Sequence, residues 1–314
     1  MERLKVLCVG WIVLAIGCLA GSAVAQQVGD ESYAPTVKNP AFAATKPTIL
    51  FDAAHNNIHV VEGEGNERRR RTYLPFKRLA EADGYTVRTA WARITPKALR
   101  DVAILAIVNP VAVPDIPETT PEEMNEPAFC GDEIAAIRDF VEGGGALLLI
   151  ADHYPIGGAA SELAAAFGVQ MGNGHVEDPA HDDVETDSML FTGDALGNHP
   201  ILTGRDETER IRRVGTFTGQ SLVGPPDSEI LLRLGREAVE EASTGNKVKA
   251  PVGGRAQALA LKRGRGRVVV LGEAAMLTSQ LSGAEKVRWG GLSNPKLDNE
   301  QLALNILHWL SGLI

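Results

Sequence analysis

Four apolar runs in this 314-residue chain end directly in polar chemistry. "ILFDAAHNNIHV" (residues 49–60) closes on Asp52 and continues through His55, Asn56, Asn57 and His59. "AILAIVNP" (103–110) delivers Asn109. "ALLLIADHYP" (146–155) delivers Asp152 and His153, and "GRVVVLGEAAML" (266–277) delivers Glu273, with Thr278, Ser279 and Gln280 following. Carboxylate beside imidazole is the equipment of general acid–base work, one group moving the proton and the other orienting it. Asp52, His55, Asp152, His153 and Glu273 are therefore the candidate catalytic residues. Asn56, Asn109 and Gln280 are candidate ligand contacts. The same carboxylates and imidazoles suit a divalent cation with one position open to water. No HExxH and no paired CxxC is present, so no metal identity follows. The plainer alternative is that Asp52 and Asp152 only cap turns after their strands.

"GHVEDPAHDDVETD" (174–187) is a second cluster. His175 and His181 are candidate ligand contacts there, within a polar, glycine-containing stretch, residues 171–198, that reads as a loop or lid able to bring either histidine near Asp152. An acidic, solvated loop is the competing reading. His199 precedes a proline and reads as a turn residue, and His308 lies in a closing helix beside Trp309. There is no G-x-S-x-G elbow. Ser161 reads as part of a helix start. Cys130 stands just ahead of a helix, with no neighbouring base in the sequence to activate it.

These groups need a scaffold that gathers strand ends. Strand-like and helix-like signals alternate from residue 47. "PTILFDAA" is strand and "TYLPFKRLAEADG" helix, followed by "YTVRTAW" strand, "TPKALRDV" short helix and "AILAIVNP" strand. A Pro- and Glu-rich loop leads to the helix "GDEIAAIRDFVEGGG", where Ile134, Ile137, Phe140 and Val141 share a face and the glycines stop it. The fully apolar "ALLLI" and the helix "AASELAAAFGV" follow. Strands apolar throughout, alternating with amphipathic helices, imply a mostly parallel sheet covered on both faces. Ligands then bind beyond the carboxyl ends of the strands. Later, "ERIRRVGTFTGQSLVGP" and "SEILLRLG" read as strands, "RAQALALKRGRGRVVVLG" as a hairpin turning at residues 263–266, and "NEQLALNILHWLSGLI" as the closing helix.

Residues 1–25 have the signal-peptide pattern: a charged start (Glu2, Arg3, Lys5), an apolar run, and small residues at Ala23–Ala25. The expected destination is periplasmic or extracellular, with no transmembrane segment left after cleavage. Lipid attachment at Cys18 is the rival processing route, since "AIGC" approaches that motif. Residues 26–46 are polar and aperiodic and read as a linker or arm, leaving 47–314 as one α/β domain. The net charge of −9 becomes about −10 without the first 25 residues, which argues against a nucleic-acid partner. "ERRRR" (67–71) is a local exception that reads as a solvated loop. Of three cysteines, Cys8 and Cys18 lie in the leader, so Cys130 would have no intrachain partner.

"ILFDAAHNN", "EIAAIRDFVEGGGALLLIADHYP", "ASELAAAFGV", "GRVVVLGEAAMLTSQL" and "DNEQLALNILHWLSG" together resemble an uncharacterised bacterial family of the class I glutamine amidotransferase-like superfamily, near the DUF4350 group and related to gliding-motility and ciliary IFT-type domains. The resemblance implies a flavodoxin-like three-layer α/β sandwich. It does not carry over glutamine hydrolysis. The true enzymes place a cysteine at the strand-to-helix elbow, where this chain reads "ADHYP", and Cys130 does not match that position. The expectation is an exported domain that binds a small polar or carbohydrate ligand, or an envelope partner, at the strand ends. The alternative is a hydrolase, metal-assisted or not, that uses Asp52 or Asp152 as base, His55 or His153 as its partner, and Glu273 as a second carboxylate.

Overall fold

A computed structural model describes residues 27–62, 71–242 and 248–314. Residues 1–25, where the signal-peptide pattern falls, and all of "ERRRR" except Arg71, lie outside the described residues. A nine-stranded sheet forms the centre. Its strands are β1 (Thr48–Asp52), β2 (Thr86–Ala90), β3 (Ile104–Val108), β4 (Ala146–Ile150), β5 (Gln170–Met171), β6 (Leu222–Val223), β7 (Glu229–Arg233), β8 (Ala256–Arg263) and β9 (Gly266–Leu271). The order is β2-β1-β3-β4-β9-β8-β6-β5, with β7 also paired to β8. The first five strands are mutually parallel. β8, β6, β5 and β7 pair antiparallel. The sheet is thus mixed, and the expected parallel arrangement describes only the half that carries the polar strand ends.

The helices of two turns or more among the described residues are α1 (Leu74–Ala82), α2 (Gly131–Glu142), α3 (Ile156–Ala165) and α4 (Asn299–Leu310). Successive strand residues point to opposite faces, and both faces are covered. Ile49, Phe51, Ala106, Leu148 and Val269 pack with Phe76 and Leu79 of α1 and with Leu302 and Ile306 of α4. Leu50, Leu105, Leu149 and Val270 pack with Ile137 of α2 and Leu163 of α3. Burying each such side chain contributes roughly 1.5–3 kcal/mol. This is why β3 and β4, buried at every position, show no polar alternation. Gly84 ends the helix α1 at φ +99°, and a Cβ there would fall 2.0 Å from the Phe42 carbonyl. Only glycine fits that close approach.

The second half departs from the expected loop. Within residues 171–198, Gly174–Glu177 joins a three-stranded sheet with Val239–Ala242 and Lys249–Pro251. Asp182–Asp183 and Ser188–Phe191 join another with Val214–Thr216. "TPKALRDV" forms turns instead of a helix, and Asp101 sits there at φ +58°. The arm is docked, not free. Gln27–Gly29 pairs with Gln280–Ser282, which in turn pairs with Val287–Trp289. Asp30, 1% exposed, accepts hydrogen bonds from Ser32 N (2.9 Å), Ser279 Oγ (3.2 Å) and Arg288 Nε (2.8 Å). The Tyr33 hydroxyl donates to Glu300 at 2.6 Å. No helix among the described residues is long and apolar enough to cross a membrane.

Candidate functional site

The carboxyl ends of β1, β3, β4 and β9 converge, as expected for a parallel half-sheet, but they form two differently built clusters. At the end of β1, Asp52 is fully buried. Its Oδ1 accepts from Ala54 N (3.1 Å) and its Oδ2 from Asn57 Nδ2 (3.2 Å). His55 Nδ1 lies 3.0 and 2.9 Å from the two oxygens. The other ring nitrogen, Nε2, lies 3.0 Å from Glu133 Oε1. Glu133 is the third residue of α2, and it also accepts from Ile94 N (2.9 Å), from Cys130 N (3.4 Å) and from Arg93 Nε (3.2 Å). Arg93 Nη2 also meets Cys130 Sγ. Burial pushes the His55 imidazole down, but the hydrogen bond and charge of Asp52, with Glu133 added, outweigh it and hold the ring above its ordinary range. Glu133 is opposed by burial too. The His55 charge and the backbone donors bring its carboxyl below the usual value. A cleft of about 420 Å³ opens beside the buried quartet of Asp52, His55, Asn57 and Glu133, with His55, Asn56, Arg93, Phe129 and Cys130 in its wall. Asn56, at φ +48°, turns its amide to the carbonyls of Val111 and Ala112.

The second cluster stands at the ends of β3, β4 and β9. Asn109, fully buried and at φ +45°, clamps the next strand end. Its Nδ2 donates to Asp152 Oδ2 (3.2 Å) and its Oδ1 accepts from Asp152 N (2.9 Å). Asparagine tolerates this left-handed backbone better than most residues. Gln220 holds the same turn from the other side, donating to the carbonyls of Ala151 and Asp152, both at 2.9 Å. Leu271 pairs with Ile150 in register, so Glu273 and Asp152, each two residues on, stand on neighbouring strand ends. Glu273, 2% exposed, accepts from Ala275 N and Met276 N at 2.7 Å each. Burial, then the Asp152 charge, push its carboxyl well above the ordinary range despite those two donors. His59, behind them, is pushed down to about 4 by burial. His153 is half-buried and places Nδ1 2.8 Å from the Tyr154 carbonyl. Its ring stacks on His175 at a centroid distance of 4.0 Å and an angle of 30°. Burial, and then the neighbouring His153, lower the His175 imidazole.

The structure therefore pairs Asp52 with His55, places Asp152 beside Glu273, and stacks His153 on His175. The two groups are bridged through Asn57, whose Nδ2 also donates to the Val108 carbonyl, and Asn109. His181 stands apart: its Nδ1 pairs with Asp178 Oδ2 at 2.5 Å, and its ring stacks on Phe191. Gln280 is fully buried in the strand beside the arm, with its Nε2 on Thr278 Oγ1 (2.8 Å). Glu133 and Arg93 were not among the residues expected at the site. Glu133 carried one faint signal, its position three residues after a helix-capping site. Among the described residues no three His, Cys, Asp or Glu side chains are grouped to hold a metal ion.

No family model and no curated protein matches the chain. Solved structures do. The N-terminal domain of mmIFT52 superposes with a TM-score of 0.54 at 16% identity, covering 84% of this chain and 97% of that one. A putative ThuA-like protein from Bacteroides uniformis gives 0.40 at 14% identity, covering 88% of this chain and 94% of that one. Another from Parabacteroides merdae gives 0.39 at 12%, covering 85% and 90%. The chain is a mixed α/β protein that shares its fold with the mmIFT52 domain.

Proposed function

We propose that this chain is an exported, DUF4350-like binding module on a flavodoxin-like three-layer core, and that it holds a small polar ligand, or a polar group of an envelope partner, at the ends of β3 and β4. The observation that carries this reading is how the polar atoms are spent. Both ring nitrogens of His55 are engaged by carboxylates, so neither is open to a substrate proton. Asp52 is occupied by Ala54, His55 and Asn57, and Glu273 by two backbone donors. A general base must reach the proton it takes. The half-buried Asp152 and His153 are the groups with capacity to spare. That supports recognition over turnover.

The hydrolase reading keeps one supporting observation, since the same two side chains stand together where a base and its partner would be needed. Ligand-observed NMR and calorimetry on residues 26–314 with soluble cell-wall fragments separate the two. Saturable binding without turnover, lost in His153→Ala, is expected. Turnover lost in Asp152→Ala would establish the hydrolase instead. Stoichiometric zinc or manganese in the purified protein, lost in Asp52→Ala and Asp152→Ala, would make that hydrolase metal-assisted.

A further inference from the structure

Two imidazoles meet where the central sheet ends and a peripheral sheet begins. His153 follows β4 in the turn to α3, and His175 rides the strand Gly174–Glu177, 22 residues on. Their half-buried rings lie stacked, 4.0 Å between centroids and 30° between planes. Both backbones are tied down. Gln220 holds the His153 turn through the carbonyls of Ala151 and Asp152. Val176 N donates to the Gly219 carbonyl at 3.0 Å, and Gly174 N to Glu240 Oε1 at 3.0 Å. A change of charge at the stack therefore falls on the side chains.

The surrounding charges are few and mostly committed. On the strand Val239–Ala242, Glu241 pairs in register with His175, and Glu240 accepts from Gly174 N, Ser221 N and Ser221 Oγ. Lys249, one strand further, is held by Glu177 at 2.6 Å and lies 3.9 Å from Glu241. The His153 turn adds Asp152, and Glu122 through the Tyr154 hydroxyl at 3.2 Å. Glu241, Asp152 and Glu240 favour a proton on His175, but burial, and then His153, outweigh them and lower its imidazole. A proton on either ring opposes a proton on the other.

We propose that the His153–His175 stack is a pH-operated switch on the strand-end site: the rings stay together with at most one proton between them and part when both are protonated, while the two backbones stay in place. Its role rests on the strand-end binding reading above, in which ligand binding depends on His153, so acid that moves this ring would release the ligand. The sign follows from linkage. His175 takes its proton less readily in the stack than in water, so the stacked arrangement is fully favoured above the ordinary value of 6.5 and is weakened as pH falls through that value towards the lowered one.

The test uses residues 26–314 without ligand, so it stands apart from the binding reading, which calorimetry with soluble cell-wall fragments decides separately. The ring signals of His153 and His175 are followed by NMR from about pH 8 to about pH 4.5, with nuclear Overhauser contacts between the rings recorded at each step. Protonation of the pair in two separated steps is expected. The inter-ring contacts should be lost over the second step, with the amide signals of residues 174–177 retained. His153→Phe should raise the His175 inflection by removing the neighbouring charge, and Glu241→Gln should lower it by removing an opposing one. Melting curves check that both variants fold. Inter-ring contacts that persist once both rings are protonated would overturn the switch. So would a His175 inflection that His153→Phe leaves where it was.

Discussion

Asp52→Asn is the sharpest test of the buried quartet. The substitution keeps the shape and an oxygen for Ala54 N, but it removes the charge that faces His55 and sets an amide donor against Nδ1. Breaking a buried ion pair by removing one partner costs about 3–5 kcal/mol. Retaining one hydrogen bond puts this variant near the lower end, about 3 kcal/mol. For a chain of this size that lowers Tm by roughly 6–10 °C. The pH dependence is the discriminating part. His55 is held above its ordinary value of 6.5, so the pair contributes fully below that value and fades as pH rises through the raised one. Urea unfolding of wild type and variant at about pH 5.5 and about pH 9 should therefore give the larger difference at the lower pH. A difference under about 1 kcal/mol at both, or one that grows with pH, would refute the imidazolium-centred account.

Glu273→Gln keeps one acceptor but sets an amide nitrogen against the other buried N–H and should cost about 1–3 kcal/mol, whereas Glu273→Ala strands both N–H groups and costs about 2–4 kcal/mol in urea titrations. His59, pushed to about 4, should show no NMR titration near 6.5. Because only the unfolded chain takes up that proton, stability falls between those two values, by about 3 kcal/mol at most, and His59→Phe should flatten that part of the profile. Asp30→Ala should loosen the arm and speed proteolytic cleavage between residues 31 and 40, with the body of the domain intact on a gel.

The parallel half of the fold was legible because its inner strands are apolar on both faces and its helices amphipathic, two patterns that depend only on neighbouring residues. The hairpin of β8 and β9 was legible for the same reason, its turn being marked by "RGRG" between apolar runs. The strands of residues 174–191 were not, because short polar strands in small peripheral sheets bury too little to leave a period in the sequence. His175 shows the consequence: it was placed in a loop, yet it pairs in register with Glu241 on a strand. The site was half legible. Asp52 and His55 lie three residues apart and announce each other, but Glu133 lies 78 residues from His55 and serves it from a helix start. His181 looked equivalent to His175 and is not, since Asp178, three residues earlier, captures it locally.

The docked arm ties residues near the beginning of the chain to residues near its end. Gln27–Gly29 needs Gln280–Ser282, and Tyr33 meets Glu300 across 267 residues. β4 likewise waits for β9 before its second edge is filled. Contacts of such sequence separation close late, after the cost of ordering the intervening chain has been met. During synthesis, the first half can collapse around β1 to β4, but the sheet stays open on one side and the arm has no seat until the last strands exist. The order in which the chain emerges therefore keeps it incompletely folded until it is nearly finished.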